Sequence, residues 1–129
     1  MLDRHDVEHN SHNVYYRSIF GAAEAGSKVR LGLRIHTELA IKQVLLRVWQ
    51  ERKGETLEPM HCGDHHEGDD YFYSVELTMP EKGCLLWYYF IINTSQGTCY
   101  YGNNPEMLGG KGDVYDNVPY SYQITVYNK

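Results

Sequence analysis

The feature that most limits how this chain can fold is a two-residue rhythm that returns several times along it. Between Lys28 and His36 the residues Val29, Leu31, Leu33 and Ile35 share one parity, while Lys28, Arg30, Arg34 and His36 share the other. Tyr71 to Met79 and Tyr120 to Tyr127 repeat the pattern, which is that of a strand with one face in a core and one toward solvent. Cys84 to Ile92 is apolar at both parities, as befits the centre of a sheet or a strand covered on both faces. Turn signals lie between these runs: Gly21 to Ser27, Pro80-Glu81-Lys82-Gly83, and Asn93 to Gly97. Val14 to Phe20 is a further β-prone run, and Thr98 to Tyr101 a short strand followed by a long Gly-rich and Asn-rich loop over 102–117.

Residues 38–53 are ambiguous, because Ile41, Val44, Leu45, Val48 and Trp49 fit a helical stripe while Val44, Leu46 and Val48 fit one face of a strand. Their β-branched and aromatic content and their strand neighbours favour a strand. The expectation is an all-β fold, an antiparallel immunoglobulin-like β-sandwich of about seven strands over residues 14–129. Residues 1–13 are almost wholly polar and are expected to form a flexible peripheral arm.

With 129 residues there is room for one domain. The net charge of −5 removes the general attraction to phosphate, so no nucleic-acid partner is expected. No apolar run approaches the roughly 18 residues of a membrane span, and no leader precedes the fold, so a cytoplasmic protein without a membrane partner is expected. Cys62, Cys84 and Cys99 are odd in number and share no metal spacing, which suits free thiols in a reducing compartment.

Four pieces occur in a recognisable order: Tyr16-Arg17-Ser18-Ile19-Phe20-Gly21-Ala22 with Gly26-Ser27-Lys28-Val29-Arg30-Leu31; Leu86-Trp87-Tyr88-Tyr89-Phe90; Tyr100-Tyr101-Gly102 with Gly109-Gly110-Lys111-Gly112; and Pro119-Tyr120-Ser121-Tyr122-Gln123-Ile124-Thr125-Val126-Tyr127. Together they resemble the N-terminal β-sandwich that precedes the catalytic barrel in bacterial α-amylase-family (glycoside hydrolase family 13) enzymes of the glycosidase, neopullulanase and amylopullulanase type. The chain departs from that pattern at Ile19, where the family usually has Pro. The resemblance implies a non-catalytic accessory domain of an α-glucan hydrolase, with the barrel and all catalytic residues beyond Lys129. It also implies that the barrel is a partner, with a homodimer contact or an α-glucan oligosaccharide as further partners. A stand-alone immunoglobulin-like protein-interaction module is the competing expectation.

The carboxylates agree with a non-catalytic domain. Glycoside hydrolysis needs two carboxyls roughly 5 to 10 Å apart, one of them protonated near neutrality. Glu38, Glu51, Glu55 and Glu58 lie near turns, Glu76 in a strand, and Asp64, Asp69 and Asp70 in a polar loop, with nothing to pair them.

Flat sugar rings and protein interfaces both favour exposed aromatics beside a guanidinium. If Val44, Leu46 and Val48 face the core, Arg47 and Trp49 face outward together; in the doubly apolar strand either Trp87 with Tyr89 or Tyr88 with Phe90 lies on the outer face, and Trp87 with Tyr89 is the choice because Leu86, Tyr88, Phe90 and Ile92 make the more ordinary core filling. Tyr101 and its neighbouring glycines complete the carbohydrate-binding or interface candidates: Arg47, Trp49, Trp87, Tyr89 and Tyr101. No cofactor and no metal are expected. His61, Cys62, Asp64, His65, His66 and Glu67 form a metal-competent cluster without a second ligand spacing, and Asn103, Asn104, Asp113, Asp116 and Asn117 offer oxygens without calcium-loop spacing.

Overall fold

In the computed structural model, which describes residues 2–19, 21–63 and 68–129, the chain is a two-layer β-sandwich. The strands are β1 (Val7–Glu8), β2 (Ala23–Glu24), β3 (Lys28–His36), β4 (Ile41–Gln50), β5 (Gly54–Pro59), β6 (His61–Cys62), β7 (Asp70–Thr78), β8 (Cys84–Thr94), β9 (Gly97–Gly102), β10 (Asp113–Tyr115) and β11 (Tyr122–Tyr127). One sheet runs β1-β3-β7-β6. The other runs β10-β9-β8-β11-β2, with β4 on β8 and β5 beyond it. All pairings are antiparallel except β11 with β2.

The expected all-β sandwich is therefore present, with more and shorter strands than the alternation alone marked out. Residues 38–53 contain strand rather than helix: β4 lies between β5 and β8, with Leu46 opposite Phe90 and Trp49 opposite Trp87. Its parity sends Val44, Leu46 and Val48 inward, where they meet Leu31, Leu33 and Ile35 of β3 and Leu86, Tyr88, Phe90 and Ile92 of β8. Filling the space between two sheets with these side chains is the main stabilising term. Gly97 takes a positive φ of 122° at the tight β8–β9 hairpin, which an L side chain would strain.

Two expectations are corrected. Val14 to Phe20 is not a strand over its described residues; it is a turn held on β3 by one isolated bridge, Arg17 to Leu31, and by bonds from Arg30 to the Ser18 hydroxyl and the Val14 carbonyl. The N-terminal segment is not peripheral either. Val7 and Glu8 pair with Ile35 and Arg34, and Leu2, Val7, His9 and Ser11 are buried. The sparse apolar content of residues 1–13 conceals this because the central inward position is a histidine. Its Nδ1–H donates to the Gly32 carbonyl (2.7 Å), and its Nε2 accepts from the Tyr88 hydroxyl (2.8 Å). A polar ring with both nitrogens satisfied can occupy a core at little cost.

A candidate interaction surface on the seven-stranded sheet

The outer face of the larger sheet is set by strand parity. Arg47 and Trp49 of β4 alternate with core residues and so point away from the sandwich, as do Trp87 and Tyr89 of β8. Register brings them together: Arg47 lies opposite Tyr89 on one side and Leu57 on the other, and Trp49 lies between Trp87 and Glu55. These cross-strand neighbours form a contiguous patch.

Arg47 organises the patch. Its Nε donates to Glu55 Oε2 at 2.8 Å, and its guanidinium carbon lies 5.0 Å from the Tyr89 ring centroid and 5.5 Å from that of Trp49. A planar cation over two π-faces, neutralised by one carboxylate, leaves a flat surface with little net charge. Tyr89 is largely covered at 6% exposure, whereas Trp49 and Leu57 stay open at 42% and 49%. Burial raises the Tyr89 phenol above its ordinary pKa, with Arg47 opposing the shift.

Tyr101 departs from the expected set. In β9 it is Cys99 and Tyr101 that face the core, and Tyr101 is 1% exposed, with its hydroxyl donating to the His9 carbonyl (3.0 Å) and accepting from the Gly112 amide (2.8 Å). Its neighbour Tyr100 has the outward parity and meets Tyr89 edge-on at 6.1 Å. Tyr100, Leu57 and Glu55 belong to the patch but not to the expected set. Alternation within Thr98 to Tyr101 does not say which tyrosine is inside, and β5 carries too few apolar residues to announce a strand.

The other candidate groups have local occupations. Asn103 Oδ1 accepts from the Asn104 and Gly109 amides, and Asn104 Oδ1 accepts from Leu108 while its amide donates to the Gly109 and Lys111 carbonyls. These amides shape the 103–112 loop. Among the described residues no group of three or more His, Cys, Asp or Glu is placed to hold a metal. His61 and Cys62 are exposed on β6, while Asp64, His65, His66 and Glu67 lie outside the described residues. Glu8 and Asp70 flank Arg34, at 3.3 and 3.7 Å, and Glu76 meets Lys28 at 3.6 Å.

No protein-family model matches the chain. Relatives do. It is 32% identical over 126 residues to an amylopullulanase of Thermoanaerobacter thermohydrosulfuricus, covering 96% of this chain and 8% of that protein. Amylopullulanases of Thermoanaerobacterium saccharolyticum and Thermoanaerobacterium thermosulfurigenes match over the same 96% of the chain at 30% and 29% identity, covering 10% and 7% of their lengths. The chain thus spans about a tenth or less of these relatives. Among solved structures, a cyclomaltodextrinase superposes with a TM-score of 0.64 at 15% identity, over 94% of this chain and 19% of that one, which establishes a shared fold.

Proposed function

From the kinship of almost the whole chain with one segment of α-amylase-family glycosidases, we propose that it is an accessory domain of an α-glucan-acting glycoside hydrolase, non-catalytic in itself. Its work is to pack the Arg47–Trp49–Trp87–Tyr89 face against the enzyme's catalytic part or a second subunit. The matched segment is a small fraction of its relatives, and this favours an enzyme setting over a stand-alone interaction module. Three unpaired thiols suit a reducing, intracellular setting.

One observation carries the choice of packing. Arg47 already lies over the Tyr89 and Trp49 rings, and a sugar stacking there would have to displace a guanidinium that Glu55 holds in place. A protein surface can cover the whole neutral patch without removing it, as aromatic and Arg-rich interface cores commonly do. The test is calorimetry on the full-length enzyme bearing Trp49→Asp and Leu57→Asp. The expected result is an accessory domain that melts separately from the catalytic part, while the isolated domain keeps its own midpoint; unchanged coupling would overturn the packing role.

Glucan binding is the second reading, favoured by the 42% exposure of Trp49 beside Trp87. Tryptophan fluorescence titrated with maltoheptaose and β-cyclodextrin, with cellohexaose as control, separates the two. Packing predicts no change up to millimolar sugar. A saturable change with the α-glucans alone, lost in Trp49→Ala or Trp87→Ala, would establish a carbohydrate-binding face instead.

A further inference from the structure

Residues 2–12 are attached to the sandwich by few main-chain bonds, by the buried side chains of Leu2, Val7 and Ser11, and by one fully buried imidazole. β1 is two residues long. Around it the Asp6 carbonyl accepts from the His36 amide (2.7 Å), the Ser11 amide donates to the Gly110 carbonyl (3.3 Å), and Asn10 bridges to Lys111. Inside, His9 is completely buried, with the rings of Tyr16, Tyr88, Phe90 and Tyr122 centred 4.8 to 6.2 Å from its own.

The proton positions around His9 follow from its partners. The Gly32 carbonyl can only accept, so Nδ1 carries the hydrogen; Nε2 of the neutral ring then accepts from the Tyr88 hydroxyl. Arg17 can only donate, and it interacts with the same phenol, which leaves Tyr88 free to point its hydrogen at His9. The hydroxyl of Tyr101 donates to the His9 carbonyl at 3.0 Å, and that of Tyr122 donates to the Gly110 carbonyl at 2.9 Å while lying 3.3 Å from the His9 carbonyl.

A second proton on this ring finds no welcome from any side. The turn contributes Tyr16 and the cation Arg17, β3 the Gly32 carbonyl, β8 Tyr88 and Phe90, β9 Tyr101 and β11 Tyr122. Glu8 is adjacent in sequence, but its carboxylate is engaged by Arg34 at 3.3 Å and Lys111 at 3.9 Å. A new Nε2–H would confront the Tyr88 hydroxyl hydrogen and oblige it to turn. Burial accordingly lowers the His9 pKa to about 3, the Gly32 hydrogen bond opposing the shift and the Arg17 charge adding to it.

We propose that residues 2–12 are an acid-operated latch: protonation of His9 detaches this segment while both sheets remain folded, loosening the loop 103–112 that packs on it. Within the segment only β1 joins a sheet, as the two-residue edge strand beside β3. The β3–β7 and β4–β8 ladders run long registers that do not involve it, and short edge units of this kind open at lower free energy than central strands. Detachment also removes the Ser11 hydroxyl that accepts from the Gly110 amide at 2.8 Å, and the His9 carbonyl that accepts from Tyr101, leaving the Tyr122 bond to Gly110 as a remaining tie of the loop. The acid signal therefore reaches a surface loop through groups already in contact with it.

Native-state hydrogen exchange on the whole chain between pH 7 and pH 4, corrected for intrinsic rates, tests this. The Ser11 and His36 amides report the segment; the β4 and β8 amides report the larger sheet. One-proton linkage makes the segment's opening constant rise about tenfold per pH unit below about 6.5, roughly 300-fold by pH 4, with the sheet amides still protected. His9→Gln can donate to Gly32 and accept from Tyr88 without titrating, so its segment should open independently of pH. Simultaneous opening of segment and sheet, or a segment in the unaltered chain that ignores pH, would overturn the latch. Should the variant fail to fold, the contrast between segment and sheet in the unaltered chain decides by itself.

Discussion

At single residues, fit rather than composition decides what can stand where. A side chain on Gly112 would press on the Gly102 carbonyl and the Tyr122 hydroxyl, and the Gly112 amide is bonded to Tyr101. One on Gly32 would meet the tip of a side chain, the ring of Phe72, rather than backbone. Gly112→Ala should therefore cost about 3 kcal/mol, at the upper end for overpacking, and Gly32→Ala about 1 kcal/mol or less, both measured by urea denaturation. Equal losses would show that the 102–112 backbone can shift. Gly112 is visible in the sequence as one of a cluster with Gly102, Gly109 and Gly110, but what crowds it is not. The outward candidates Arg47 and Trp49 follow from parity; Trp87 and Tyr89 share a parity, but in a strand apolar on both faces only the packing says which face is outer, and Tyr101 needed knowledge of which of two adjacent tyrosines meets His9.

For whole strands, the sequence was most informative where one face is apolar and the other polar. β3, β7 and β11 stand near their expected bounds for that reason. β4 was harder, since a stripe of period 3.6 and an alternation of period 2 share Val44 and Val48, and only pairing with β5 and β8 separates them. β5 and β1 escaped because their partners, not their own side chains, make them strands. The parity of β4 has a direct consequence. Leu46 is fully buried and Leu57, across the β4–β5 pair on the other face, is 49% exposed. Leu46→Ala should cost about 2 to 5 kcal/mol, and Leu57→Ala within about 0.5 kcal/mol, in the same denaturation assay. A large cost at Leu57 in the isolated domain would mean that the outer face stabilises the sandwich itself rather than awaiting a partner.

The molecule as a whole inherits a pH range from its buried polar cluster. His9 is held at about 3, below its unfolded value of 6.5, so between these values the unfolded chain binds the extra proton. Stability is then complete above pH 6.5 and falls as pH drops, by about 1.4 kcal/mol per unit. Tyr88 is raised from 10.0 to about 12 by burial, and Tyr122 is raised as well, so in that range the unfolded chain loses protons that the fold retains. Burial also raises the Cys84 and Cys99 thiols above 9.0, so stability should begin to fall again as pH rises above 9 and more steeply above 10. Urea midpoints from pH 4 to pH 11 should therefore trace a plateau between about 6.5 and 9 with a descending limb on each side. His9→Gln should flatten the acid limb and Tyr88→Phe reduce the alkaline one. An acid limb of the same slope in His9→Gln would assign it to carboxylates. The acid limb also bears on the latch, because a chain whose segment has opened already carries the His9 proton in its folded sheets. Global stability should then stop falling with pH at the point where the Ser11 and His36 amides lose protection, and a limb that continues unbroken past that point would mean that His9 titrates only on complete unfolding.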